Sequence, residues 1–295
     1  MVKQENIPQN QCLESQGPPP FVTRRVHRLE DGSLKIWSSR HHRKRLPPPE
    51  TLLLGRIRKA FRECWLLFND LNWWIGAWFA IGSLFFIVGS AMTLGAVASI
   101  FEDGSPDVIF FLGSLPFTLA GFLQFYQAIT TPPYPISSTE FEVRRIFGCR
   151  IGDLGWWSCF LQFMGTLLFN VCTFNGMRTG LNWIAEDVWI WVPNMSGSIL
   201  FLLSGLLAFA ETCHAYWRWQ PGNLSWWVVF VNLLGCIGFL VSGILAVNIS
   251  SVDAPIRLAF SNAFTLLGAV GFLVGSLLLL PEAATKTNEE VVTTE

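Results

Sequence analysis

The chain has 295 residues, of which 51% are hydrophobic and only 14% charged, with 25 Phe and 14 Trp. A soluble domain carries roughly 25% charged residues, so the composition excludes an ordinary water-soluble protein and favours lipid, where Phe serves the core and Trp the interfaces. The net charge of −1 conceals a basic head, since residues 1–70 hold 13 of the 20 Lys and Arg against seven acids, and an acidic tail at Glu289, Glu290 and Glu295.

Residues 1–65 are expected to form a cytoplasmic basic head. Its first 20 residues are polar, end in Pro18-Pro19-Pro20 and read as disordered. A β-hairpin is predicted over 21–37, where apolar and basic residues alternate from Phe21 to Leu29 and Leu34, Ile36 and Trp37 return. Asp31-Gly32 is a favoured two-residue turn. The cluster from Arg40 to Arg45 follows, read either as a patch for anionic lipid headgroups or as a plain topology signal. Nucleic acid is not the expected partner. Beyond Pro47-Pro48-Pro49, residues 51–68 suggest an amphipathic helix. No cleavable signal is visible, so the first apolar span is expected to direct insertion.

Six apolar stretches follow, at 73–98, 108–129, 156–175, 195–215, 226–247 and 258–280. Each is long enough to cross a hydrocarbon core of about 30 Å as a helix, which pairs every backbone polar group within one segment. Breakers lie between and after them, among them Pro193, Pro255 and Pro281. The fold class expected is an all-α integral membrane protein with six transmembrane helices. The head, the loops 130–155 and 216–225 and the tail hold 18 Lys and Arg, the other loops only Arg178 and Arg257. Both termini are therefore expected in the cytoplasm. The cell membrane is the natural host, or an endomembrane in a eukaryote. Trp183, Trp189 and Trp191 suggest an interfacial segment on the outer side.

A repeat runs through the spans. Trp73-Trp74, Gly82 and Phe86 recur with one spacing as Trp156-Trp157, Gly165 and Phe169, and as Trp226-Trp227, Gly235 and Phe239. The shorter pattern Gly-x3-Phe-x3-small also occurs in the even spans, at Gly113, Phe117 and Gly121, at Gly197, Phe201 and Gly205, and at Gly268, Phe272 and Ser276. Ser90, Thr173 and Gly243 complete it in the odd spans. Residues at i, i+4 and i+8 share one helix face, and small residues there allow close backbone approach. Packing is the first reading of this stripe and the lining of a pathway the second. The domains predicted are the head, hairpins at 66–132, 133–221 and 222–282, and a disordered acidic tail at 283–295.

Asn69-Asp70 before the first span, the run Ser225-Trp226-Trp227 through Asn232-Leu233-Leu234-Gly235 to Phe239, and Leu277 to Pro281-Glu282 resemble the YrhK-like domain, a two-helix membrane module found singly or in tandem. The resemblance covers roughly residues 66–282 as three modules. It implies a fold and supplies no catalytic residues, because the family has no established activity.

Candidate chemistry is sparse. Glu211 and His214 stand at i and i+3 near the end of the fourth span, where an ionisable pair could relay protons near neutral pH. Ten residues beyond the repeat Phe stand Gln127, Glu211 and Glu282, a trio that either gathers around the axis near the cytoplasmic face or snorkels to water. Gln162, Asn232, Asn170 and Asn262 read as amides that tie helices together. The seven Cys include no CxxC pair, so neither a disulfide framework nor a metal site is expected. No phosphate loop, HExxH or GxSxG is present. No enzyme, catalytic residue or cofactor is therefore expected. A structural or accessory membrane protein, with itself or a membrane protein as partner, is the first expectation. A transporter or channel with a polar site at Glu211, His214 and Gln127 is the second.

Overall fold

The computed structural model describes residues 11–28, 32, 34–46, 60–64, 67–94, 105–131, 150, 152–247 and 254–284. Most of the amphipathic stretch 51–68 and all of the acidic tail beyond residue 284 lie outside these residues.

The head is a three-stranded antiparallel sheet, β1 (Gln11–Gln16), β2 (Arg24–Arg28) and β3 (Leu34–Ser38), in the order β1-β2-β3. The expected hairpin is thus present, with one strand more than expected. β1 corrects the reading of residues 1–20 as wholly disordered. Its side chains are mostly polar, and what holds it is backbone pairing with β2 from Gln16 opposite Arg24 to Gln11 opposite Arg28. Gly17 permits the tight return, since a Cβ there would lie 2.8 Å from the Thr23 amide. The second correction concerns the turn. Arg28 pairs with Leu34, leaving residues 29–33 between them. This odd connection does not fit a plain two-residue turn, and Gly32 supplies a positive φ of 81°.

β3 runs directly into α1 (Ser39–Lys44). Arg45 ends it at φ 55°, with the Leu46 amide donating to His41 O and the Arg45 amide to His42 O. Those two bonds make a Schellman cap.

The six long apolar helices are α2 (Leu71–Met92), α3 (Ser105–Thr130), α4 (Leu154–Gly176), α5 (Val192–Cys213), α6 (Leu224–Leu245) and α7 (Ala254–Ala284). A helical turn at Trp183–Glu186 and a π-helical turn at Asp187–Trp191 lead into α5. All six are long and apolar enough to cross a membrane, and the chain is a multi-pass membrane protein. Three starts are capped alike, with Asp70, Asp153 and Asn223 accepting from backbone amides of the first turn of α2, α4 and α6. Pro281, expected as a breaker, lies inside α7, which continues to Ala284. A proline inside a membrane helix is tolerated where nearby groups re-satisfy the freed backbone.

The helices close into a ring. Each packs on its sequence neighbours, and α7 returns to α2. Six phenylalanines, one per helix, meet in the middle: Phe86, Phe117, Phe169, Phe201, Phe239 and Phe272. Their centroids lie 5.0 to 6.5 Å apart across the ring, a spacing suited to edge-to-face and offset aromatic pairs. The glycine pattern explains how these rings fit. A Cβ on Gly82 would lie 2.9 Å from Gly113 O, one on Gly165 2.6 Å from Phe201 Cδ1, and one on Gly235 2.7 Å from Phe272 Cδ2. Each glycine thus seats the phenylalanine of the next helix. Gly121, Gly205 and Gly243 face the following or preceding helix pair instead, at contacts of 3.2 to 3.4 Å.

The paired tryptophans depart from the interfacial expectation. Trp226 is fully buried and Trp156 nearly so, whereas Trp74 and Trp227 are exposed. Within each pair the rings meet edge-on at 5.0 Å, and in each the first indole is the more buried of the two.

Candidate functional site

The most concentrated chemistry lies where α1 enters the head end of the ring. Arg40, Arg43 and Lys44 stand at i, i+3 and i+4 of α1, on one face. All three are buried, as are Glu211 of α5, Glu282 of α7 and Gln127 of α3. Arg43 makes a forked pair with Glu211, Nη1 donating to Oε1 at 2.7 Å and Nη2 to Oε2 at 2.9 Å. The Ser39 hydroxyl donates to the same Oε1 at 2.8 Å. Glu282 accepts from Lys44 Nζ at 2.6 Å, from Arg40 Nη2 at 3.0 Å and from the Ser225 hydroxyl of α6 at 2.6 Å.

The remaining helices close around the backbone of α1. Asn72 of α2 donates to Lys44 O at 3.0 Å and accepts from Gln127 Nε2 at 3.0 Å. Thr131, just after α3, donates to Arg43 O at 3.2 Å, and Arg150 donates to Thr131 O. On α4 the contribution is space: a Cβ on Gly155 would fall on Arg43 Nη1 and 2.5 Å from Glu211 Oε1. Asn72, Gly155 and Ser225 occupy the same place after the three N-caps. All six helices therefore shape one cradle for α1.

The electrostatics follow from burial. Burial alone would lower the Arg43 pKa, but the Glu211 carboxylate outweighs it and raises it above the ordinary value. Lys44 is lowered to about 8, by burial first and then by the Arg40 charge, with Glu282 opposing. It still carries its proton at pH 7. The cluster holds three cations against two carboxylates, and the surplus positive charge adds to the effect of burial on Lys44.

The trio Gln127, Glu211 and Glu282 does gather around the axis, buried rather than snorkelling to water. The proposed Glu211–His214 relay is corrected. Glu211 is committed to Arg43 and Ser39, while His214 ends α5 at φ 54° and its Nδ1 meets Thr23 Oγ1 at 2.9 Å. Burial, with repulsion from Arg24, His41 and Arg218, lowers His214 to about 4 despite Glu211. It is neutral at pH 7 and unsuited to a relay there. The headgroup reading of Arg40–Arg45 is corrected too. Arg40, Arg43 and Lys44 are 3%, 6% and 2% exposed, and within the cluster Arg45 is the residue open to solvent. The signal was present in the sequence as a basic run on the head and acids at the ends of two even spans, with no local pattern to join them.

The amides tie helices in part. Asn170 donates to Thr118 of α3 at 2.8 Å and Gln162 accepts from Ser204 of α5 at 3.4 Å. Asn232 bonds within its own helix, to Val228 O at 2.9 Å. No group of His, Cys, Asp and Glu that could hold a metal occurs among the described residues. No protein-family profile, curated protein or solved structure matches the chain.

Proposed function

We propose that the chain is a structural or accessory membrane protein, a closed six-helix body that holds its head in one fixed position on the cytoplasmic side. The observation that carries this reading is the filled axis. Six phenylalanines meet there, and the cavity that five of them line with Ser114 measures about 10 Å³, room for about one water at most. Alike Gly–Phe contacts between α2 and α3, α4 and α5, and α6 and α7 support three repeated hairpins, and the exposed apolar outer faces suit lipid or a membrane partner.

One observation favours the alternative, a transporter or channel: Glu211, Glu282 and Gln127 form a polar layer ten residues along the helices from the phenylalanines, with α1 as its plug. Flux assays in proteoliposomes separate the two. The intact chain is expected to pass K⁺, Cl⁻ and H⁺ no faster than protein-free liposomes, and so is a chain lacking residues 1–46. Flux by the truncated chain alone would establish the plugged pathway, and flux by the intact chain would overturn the structural reading.

A further inference from the structure

At the head end of the ring, the connection between α5 and α6 carries Tyr216, Trp217 and Trp219, exposed at 71%, 63% and 60%. A contiguous exposed aromatic patch marks an interaction surface. Its geometry says what it meets. Trp217 does not stand off the protein: its ring centroid lies 4.9 Å from that of Phe209, one turn inside the end of α5. Trp219 lies 4.7 Å from Trp226 and 6.0 Å from Phe230, on the first turns of α6. The exposed Trp227 touches the same two rings, at 5.0 and 6.1 Å. The loop aromatics therefore continue the outer surface of α6.

Hydrogen bonds hold the loop in this pose. Trp226 Nε1 donates to Arg218 O at 3.0 Å, Trp227 Nε1 to Pro221 O at 2.9 Å, and the Tyr216 hydroxyl to Pro19 O of the head at 2.7 Å. Between the two tryptophans stands Arg218, itself exposed. Residues 214–223 include no Asp or Glu, and among the described residues no carboxylate pairs with Arg218. A guanidinium is a fork of donors that fits a phosphate, while indole rings settle at the headgroup level, body in lipid and N–H end toward water. A second copy packed through this patch would set Arg218 against Arg218 with no acid between them. An anionic phospholipid meets both needs, since no ammonium of its own offsets the phosphate.

We propose that the loop is a lipid anchor, Trp217 and Trp219 lying in the headgroup layer on the head side and Arg218 binding the phosphate of an anionic phospholipid there. The test uses the full chain. In nanodiscs of equal phosphatidylglycerol and phosphatidylcholine, the emission of these two indoles is read as wild type minus Trp217→Phe/Trp219→Phe. That difference is expected to be quenched strongly by lipid brominated near the top of its acyl chains and weakly by acrylamide in solution. In detergent, native mass spectrometry follows retained lipid. Arg218→Gln is expected to weaken phosphatidylglycerol retention about fivefold, the effect of one basic residue at a membrane surface, with phosphatidylcholine unchanged and Arg218→Lys close to wild type. Quenching by acrylamide without quenching by brominated lipid overturns the proposal, as does equal phosphatidylglycerol retention by Arg218→Gln. A two-chain mass that falls to one chain in Trp217→Ala/Trp219→Ala would give the patch to a second copy and overturn it as well. Should the phenylalanine variant not fold, the Arg218→Gln comparison decides alone.

Discussion

Glu211→Gln is expected to loosen the head from the ring and to lower stability by about 3–5 kcal/mol, the usual cost of leaving one member of a buried ion pair alone. Arg43 loses its forked carboxylate at 2.7 and 2.9 Å and has no water to turn to. Arg43→Gln strands Glu211 in the same way. The double variant removes both charges and is expected to recover much of the loss, because a buried pair contributes little beyond its own desolvation. Thermal unfolding in nanodiscs, run as a double-mutant cycle, reads the coupling directly. Additive losses within about 0.5 kcal/mol would show that the two side chains do not meet.

Phe201→Ala is expected to cost about 3–5 kcal/mol, as for other buried aromatic truncations. Phe201 is 2% exposed and seated over Gly165. It touches Phe169 at 5.0 Å and Phe272 at 5.6 Å between centroids. Lipid already solvates apolar groups, so the loss comes from missing packing contacts. Leu84→Ala is the control, since Leu84 is 51% exposed on the outer face of α2, and a change within about 0.5 kcal/mol is expected there. Equal melting temperatures for the two variants would mean that the phenylalanines do not form the packed centre.

How far this fold could be read in advance depends on the range of each interaction. The spans are legible because twenty consecutive apolar residues have few other destinations. The stripe of Gly82, Phe86 and their equivalents is legible because i, i+4 spacing marks one face. Closure of the ring is not, since the pairing of α7 with α2 joins residues nearly two hundred positions apart. The cradle was half legible. Gln127, Glu211 and Glu282 could be aligned by counting from the repeat Phe, but nothing local joins Arg43 to a carboxylate 168 positions away. The basic run therefore read as a surface feature. β1 was missed because its order comes from backbone bonds to β2, which polar side chains do not announce. His214 was misassigned because its left-handed backbone turns the ring from Glu211 toward Thr23.

The docking of α1 inside the end of the ring is tested most directly by amide hydrogen exchange on the intact chain in nanodiscs. A six-residue helix does not persist alone in water, so any protection of the Arg45 and Leu46 amides, which bond to His42 and His41, must come from the cradle. The expected result is exchange slowed to minutes or longer, with that protection lost in Glu211→Gln. Exchange of these two amides at the rate of unstructured chain in the wild-type protein would contradict the docking.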